Sequence, residues 1–265
     1  LGHSDSELAR LQTQAEFYAE FTRNVLLKAG LQPGMRVLDV GCGVGDVSIE
    51  AARLVGPSGS VVGVDQSDAA LDMARRRTQA AGLPQVSFQK ADLQRAAEPE
   101  SFDAVIGRFI LLHLNKPARA LETLTGCVKP GGRIAFIEMD LSSAQVSPPL
   151  ALFNEAVGWI RDTYLREGVE IDMGSKLFAC YEALGLKPTL EAFQRVEGGP
   201  DANVYNYLAE TVRSLLPRMV ELQVVRAEAV DVDSLAARAR EASVAGGHCF
   251  FYPRMVGAWA QKPPR

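Results

Sequence analysis

MRVLDVGCGVGD, Met35 to Asp46, joins a short apolar run containing one acid to three glycines at every second position. An apolar run of that length bounded by glycine reads as a buried strand over Arg36 to Val40. The glycines of Gly41-Cys42-Gly43-Val44-Gly45 can take positive φ and let a ligand approach bare backbone, so the strand should feed a binding turn. A helix is expected from about Val44 to Leu54.

Upstream of this turn, Leu8, Leu11, Ala15, Tyr18, Phe21, Val25 and Leu26 recur at three- and four-residue steps. That spacing predicts an amphipathic helix, or a pair of them, between Ser6 and Ala29. Phe17, Tyr18 and Phe21 could fold over a ligand, although aromatics at helical spacing more often belong to a core. Leu31-Gln32-Pro33-Gly34 ends the helical segment, because proline lacks the donor and glycine permits the turn.

Downstream, strands and helices alternate. Strands are expected at Val61 to Val64, Val86 to Gln89, Phe102 to Ile106 and Arg133 to Glu138. Helices are expected from Ser67, as N-cap, to about Ala81 and from Pro117 to Val128, with Lys129-Pro130-Gly131-Gly132 forming a tight entry to the last of these strands. Continuous apolar strands such as VLDV, VVGV and AVI between amphipathic helices indicate an α/β fold with a parallel sheet covered on both faces. Past Asp140 the rhythm changes: a helical region from Pro148 to Leu184, a strand over Pro188 to Val196, a break at Gly198-Gly199-Pro200, a second helical region from Ala202 to about Val244, and a terminal strand over Cys249 to Ala260. The expected organisation is a helical segment 1–30, a cofactor-binding core 31–140, a strand with helical cap insertions 141–247, and a terminal strand 248–265.

Composition narrows the partners. The chain has 265 residues, 47% hydrophobic and 23% charged, the mixture of an ordinary globular protein. A net charge of -4 gives no footprint for nucleic acid or an anionic membrane, so neither is expected as a partner. Cys42, Cys127, Cys180 and Cys249 are widely separated, which supports no zinc site or disulfide framework and fits a reduced, cytoplasmic setting. No apolar stretch approaches the roughly 20 residues of a spanning helix, and the N-terminal residues lack a secretion signal. A monomer or homodimer is expected.

Ligands of open parallel sheets bind beyond the carboxyl ends of the strands. Those ends carry Asp39, Asp65 and Asp92, then Arg108 with Phe109, then Glu138 and Asp140. A dinucleotide fingerprint would place a third glycine where Asp46 stands, and Asp39 and Asp46 would repel a pyrophosphate. A sulfonium, an ammonium group and a ribose diol suit the same acids. S-adenosylmethionine carries all three.

VLDVGCGVGD, VVGVD, QKADL, FDAVIGRFILLHL and VKPGGRIAFIE, in this order, resemble the successive motifs of the class I S-adenosylmethionine-dependent methyltransferases of small-molecule type, like those of ubiquinone and menaquinone biosynthesis. The resemblance spans about Leu31 to Asp140. It implies a doubly wound, Rossmann-like seven-stranded sheet whose last strand is antiparallel and inserted between strands five and six. It also implies that Asp39, Gly41 and Gly43 hold the methionine end of the cofactor, Asp65 with Gln66 the ribose, and Asp92 with Leu93 the adenine. Arg108 and Phe109 would line the methionine tail, with Tyr18 nearby, and Cys42 would be a packing residue. S-adenosylhomocysteine would be the product.

Methyl transfer needs a base only when the nucleophile must lose a proton, and His113 and Glu138 are the candidates. Tyr164, Tyr205, Tyr207, His248 and Arg254 are weaker candidates for a substrate pocket. Gly107-Arg108-Phe109-Ile110 replaces the Asn-Pro-Pro-aromatic motif of enzymes acting on amide or adenine nitrogen. Arg108 also stands where catechol-type enzymes carry a metal-binding acid, so no metal is expected. A small molecule with an O, N or C nucleophile, of quinone or secondary metabolism, is the expected acceptor. The alternatives are a macromolecular methyltransferase, an S-adenosylmethionine-binding enzyme of other outcome, such as cyclisation or decarboxylation, and a nicotinamide-dependent oxidoreductase.

Overall fold

The computed structural model describes residues 18–91, 99 and 101–264. Within it lie two compact units, one of Met139–Asp172 with Phe193–Met255 and one containing the remainder.

The second of these is built on seven strands: β1 (Arg36–Val40), β2 (Ser60–Asp65), β3 (Val86–Lys90), β4 (Phe102–Arg108), β5 (Val128–Asp140), β7 (Thr189–Phe193) and β10 (Arg254–Gln261). Their order is β3-β2-β1-β4-β5-β10-β7. The first five pair in parallel, and β10 enters antiparallel between β5 and β7, as the resemblance implied. The order reverses between β1 and β4, which opens a crevice at their carboxyl ends. Val40 lies beside Val64 on one flank and Gly107 on the other, so three strand ends reach the same level.

A helix over residues 18–29 (α1), α2 (Asp46–Val55), α3 (Asp68–Ala80), α4 (Pro117–Gly126) and α6 (Met173–Glu182) belong to the same unit. Leu26 and Ala29 of α1 bury against Val37, Val47, Ala51, Val55, Ile106 and Ala135, which fixes α1 and α2 to one sheet face. The N-cap expected at Ser67 is present: its hydroxyl accepts from the Ala70 amide at 3.2 Å.

β5 begins at Val128, earlier than the expected Arg133, because Lys129-Pro130-Gly131-Gly132 is absorbed as an irregularity. The register with β4 shifts between Phe102 and Ala104, and Gly131 takes φ 79° there.

The other unit packs α7 (Val204–Glu221) against α5 (Ala151–Arg166) and α8 (Val232–Gly246). Beside them lies a three-stranded sheet of β6 (Gln145–Ser147), β8 (Val196–Gly198) and β9 (Cys249–Phe251) in the order β6-β9-β8. Phe250 is held between Phe153 and Tyr205, with ring centroids 5.1 and 5.6 Å away.

Two expected strands are each divided. Cys249 to Ala260 splits into β9 and β10, which serve different sheets, and Pro253 between them offers no amide to continue a ladder. Pro188 to Val196 stops at β7, and the next residues begin β8. At that break the Gln194 amide group donates to the carbonyls of Ser143 and Tyr252 at 3.1 and 2.9 Å.

Candidate functional site

The glycine turn adopts the conformation its composition suggests. Gly41, Gly43 and Gly45 have φ of 64°, 51° and 86°. Each has its own reason to lack a side chain. A Cβ on Gly41 would lie 2.5 Å from Ile110 Cδ1, whereas one on Gly43 would meet nothing within 4 Å. Gly41 is thus covered by protein, while Gly43 faces open space. Gly45 caps α2 in the left-handed region.

Acids ring this turn. The Gly43 amide donates to Asp65 Oδ2 at 2.9 Å, and the Ser67 amide to Oδ1 at 2.9 Å. Both oxygens keep lone pairs for further donors. Asp39 is 1% exposed and accepts from the Ser48 hydroxyl at 2.5 Å. Burial pushes its pKa up to about 7, opposed by the Ser48 hydrogen bond and by Arg108 and reinforced by Asp46 and Asp65. Asp46, in the first turn of α2, pairs through Oδ1 with Arg77 at 2.5 Å, and Arg77 donates to the Val44 carbonyl at 2.7 Å. α3 thereby braces the turn. Cys42 is buried, and that burial together with Asp39 and Asp65 pushes its thiol pKa up, leaving it a packing group.

The exit of β4 completes the crevice. Arg108 is almost fully buried, donates to Thr22 Oγ1 of α1 at 2.9 Å, and lies 3.6 Å from Asp46 Oδ2. Burial pushes its guanidinium pKa down, countered by Asp46 and Asp39. Phe109 has φ 57°, a left-handed conformation costly for an aromatic residue. Its ring meets that of Tyr18, centroids 5.8 Å apart and nearly perpendicular. Glu138, at the far end of β5, is wholly buried, and its Oε1 accepts from the amides of Ile110 at 3.0 Å and Leu111 at 2.7 Å. Its Oε2 has no hydrogen-bond partner among the described residues. Burial pushes its pKa up to about 8, against the pull of the Leu111, Ile110 and Leu112 amides.

The structure therefore brings Tyr18, Asp39, Gly41, Gly43, Asp65, Arg108, Phe109 and Glu138 into one unit around the glycine turn. Gln66 follows Asp65 and is exposed. Asp92 and Leu93 lie outside the described residues. His113 ends a short 3-10 turn, Leu111–His113, and is exposed.

The five weaker pocket candidates all belong to the helical unit. Tyr164 is buried, and the Tyr207 ring meets that of Tyr252 at a tilt, centroids 5.2 Å apart. The Tyr205 hydroxyl donates to the Gly199 carbonyl and can accept from the Ser243 hydroxyl, both at 2.9 Å. His248 Nδ1 lies 2.7 Å from the Pro148 carbonyl, and Arg254 donates to Asp140 Oδ2 at 2.7 Å.

Sequence reasoning missed Ser48, Thr22, Arg77 and Ile110 as parts of this site. Ser48 and Arg77 sit on helix positions close to the turn in space, but nothing in their spacing marks them. Thr22 is 86 residues from Arg108, and no local pattern reveals such a pair.

The donor set fits S-adenosylmethionine. Carboxylates converge where an ammonium and a sulfonium would gain from them, and Asp65 keeps free lone pairs for a diol. Gly43 leaves the backbone open. The two cations described at the turn, Arg77 and Arg108, are both already engaged by Asp46, which disfavours a pyrophosphate there.

Residues 31–161 match the family described as methyltransferase domain. A ubiquinone/menaquinone biosynthesis C-methyltransferase of Cronobacter sakazakii is 31% identical over 183 residues, covering 67% of this chain and 71% of that protein. An uncharacterized 37.1 kDa protein in a transposon of Streptomyces fradiae is 34% identical over 150 residues, 56% of this chain; the match spans less than half of that relative, 43%. Among solved structures, the YcgJ protein of a Bacillus superposes with a TM-score of 0.61 at 17% identity, covering 93% of this chain and 100% of the other, a likeness of fold. The motif order read from the sequence, the antiparallel seventh strand and these relatives converge, and the chain belongs to the class I S-adenosylmethionine-dependent methyltransferases.

Proposed function

We propose that this chain moves the methyl group of S-adenosylmethionine to an O, N or C nucleophile of a small molecule of quinone-type or secondary metabolism, leaving S-adenosylhomocysteine. The observation that carries this reading is the ring of Asp39, Asp46 and Asp65 around a turn whose three glycines are all left-handed, with the Gly43 amide held by Asp65. Support for a quinone-type acceptor comes from the Cronobacter sakazakii relative, which is named for C-methylation in ubiquinone and menaquinone biosynthesis.

The bound cofactor supplies an electrophilic methyl group on a sulfonium. The protein's part is alignment and exclusion of water. In this reading Asp65 with Gln66 receives the ribose, Asp92 with Leu93 the adenine, and Asp39 with the Gly41 to Gly43 backbone the methionine end. Arg108 and Phe109 line the methionine tail, and Tyr18 supports Phe109. Where the acceptor must shed a proton, the exposed His113 takes it, because Glu138 is committed to two backbone amides.

Calorimetry of the chain with S-adenosylhomocysteine and, separately, with NAD tests the reading. Micromolar binding of the former and none of the latter is expected, on the order of 8 kcal/mol of binding free energy. NAD binding without S-adenosylhomocysteine binding would overturn it.

A further inference from the structure

We infer that Glu138 is a positioning residue for the cofactor site: its buried carboxyl holds the turn leaving β4 down on the glycine loop, and so sets the seat on which the cofactor rests. This deepens the S-adenosylmethionine reading above and rests on it.

Three observations carry the inference. Glu138 Oε1 takes the amides of both Ile110 and Leu111, two adjacent donors that no strand or helix claims. Ile110 is the residue whose side chain covers Gly41 so closely that a Cβ there would fall 2.5 Å from its Cδ1. The same side chain sits above Gly107, where a Cβ would lie 3.0 Å from Ile110 Cγ2. One carboxyl thus fixes the backbone of the residue that clamps the first glycine of the loop.

Phe109 supplies the reason a clamp is needed. It precedes Ile110 and takes φ 57°, a conformation that persists only when its surroundings impose it. Its own amide bonds to the Ile137 carbonyl at 2.9 Å, and Ile110 and Leu111 bond to the next side chain along β5. β5 therefore holds three successive amides of the turn, one through its backbone and two through Glu138. Without Glu138, two of those amides would be left without an acceptor, and the strained residue would be free to relax toward a right-handed conformation, lifting Ile110 from Gly41.

A base in solvent contact would look different. Glu138 is 0% exposed, and the ionisable groups that face it, Cys180 and Tyr181 of α6, are buried as well. Its effect on the reaction passes through Ile110 and the loop.

The test uses the full chain, with S-adenosylhomocysteine as probe and hydrogen exchange resolved to single amides. In the wild-type protein without ligand, the Ile110 and Leu111 amides should be protected; exchange at unstructured rates would overturn the inference with no variant needed. Glu138→Asp withdraws the carboxyl by one methylene, and Glu138→Leu removes it, whereas Glu138→Gln keeps an acceptor. The Asp and Leu variants should lose protection at both amides and bind S-adenosylhomocysteine about tenfold or more weakly even in the folded fraction, while the Gln variant stays close to wild type. A purely structural role would lower the melting temperature and leave affinity of the folded protein unchanged, and that result would also overturn it. If wild type fails to bind S-adenosylhomocysteine, the cofactor reading itself fails; if wild type binds and the Asp and Leu variants bind equally well, only the role of Glu138 fails.

Discussion

At the scale of single residues, Gly41 and Gly43 look alike in sequence and differ in what replacing them should do. Gly41→Ala meets Ile110 at 2.5 Å and places alanine at φ 64°, so it should cost about 2 to 4 kcal/mol from overpacking and left-handed strain together. Gly43→Ala meets nothing within 4 Å and should cost only the conformational part, about 1 to 2 kcal/mol, yet weaken cofactor binding by filling the open flank. Urea denaturation and calorimetry on both variants separate these effects. Equal destabilisation would contradict the assignment of one covered and one open glycine. A pH prediction comes from Glu138, whose pKa rises from 4.5 unfolded to about 8 folded through burial. Between those values the folded chain keeps a proton that the unfolded chain has lost, so stability is full at lower pH and declines as pH rises toward 8. Glu138→Gln cannot ionise. Its stability should therefore fall less steeply across that window than the wild type's, with the remaining decline owed partly to Asp39, whose pKa burial lifts to about 7. Identical slopes by denaturant titration would sink the assignment.

At the scale of elements, α1 is tied to the site by Thr22 on Arg108 and by Tyr18 on Phe109. Thr22→Val keeps the shape and removes the acceptor of a buried guanidinium, which should cost about 1.5 to 3 kcal/mol. A melting temperature within error of wild type would show that Arg108 finds another acceptor. Elements differ sharply in how far the sequence revealed them. β1, β2, β4 and α3 were legible because buried parallel strands are continuous apolar runs and a serine N-cap announces its helix. β6 and β8 were not, and β9 was read only as the start of one longer strand, since three residues are too few to show alternation and their pairing joins segments far apart in the chain. Of the site, the glycines and strand-end acids could be read because their chemistry is local to the turn. Glu138 was visible as an acid at a strand end, but its orientation was not: whether a carboxyl faces solvent or two backbone amides is decided by the neighbouring strand's exit. Arg108 appeared beside the site in sequence, while its partners Thr22 and Asp46 became apparent only once three elements met.

At the scale of the whole molecule, a ligand that binds only the folded chain stabilises it by mass action, about 2.7 kcal/mol when present at a hundred times its dissociation constant. S-adenosylhomocysteine should therefore raise the melting temperature, and NAD at equal concentration should not. The gain should be uneven along the chain. Protection from hydrogen exchange should concentrate on the glycine turn, on the residues after β2 and on the turn after β4, all in the unit that holds the seven-stranded sheet. Asp65→Ala removes the acceptor of the Gly43 amide together with the proposed ribose contact, so it should abolish both the thermal shift and the protection pattern. Protection confined instead to α7 and α8 would place the ligand away from the carboxylate ring, and a shift undiminished by Asp65→Ala would show that the strand-two acid serves the loop alone.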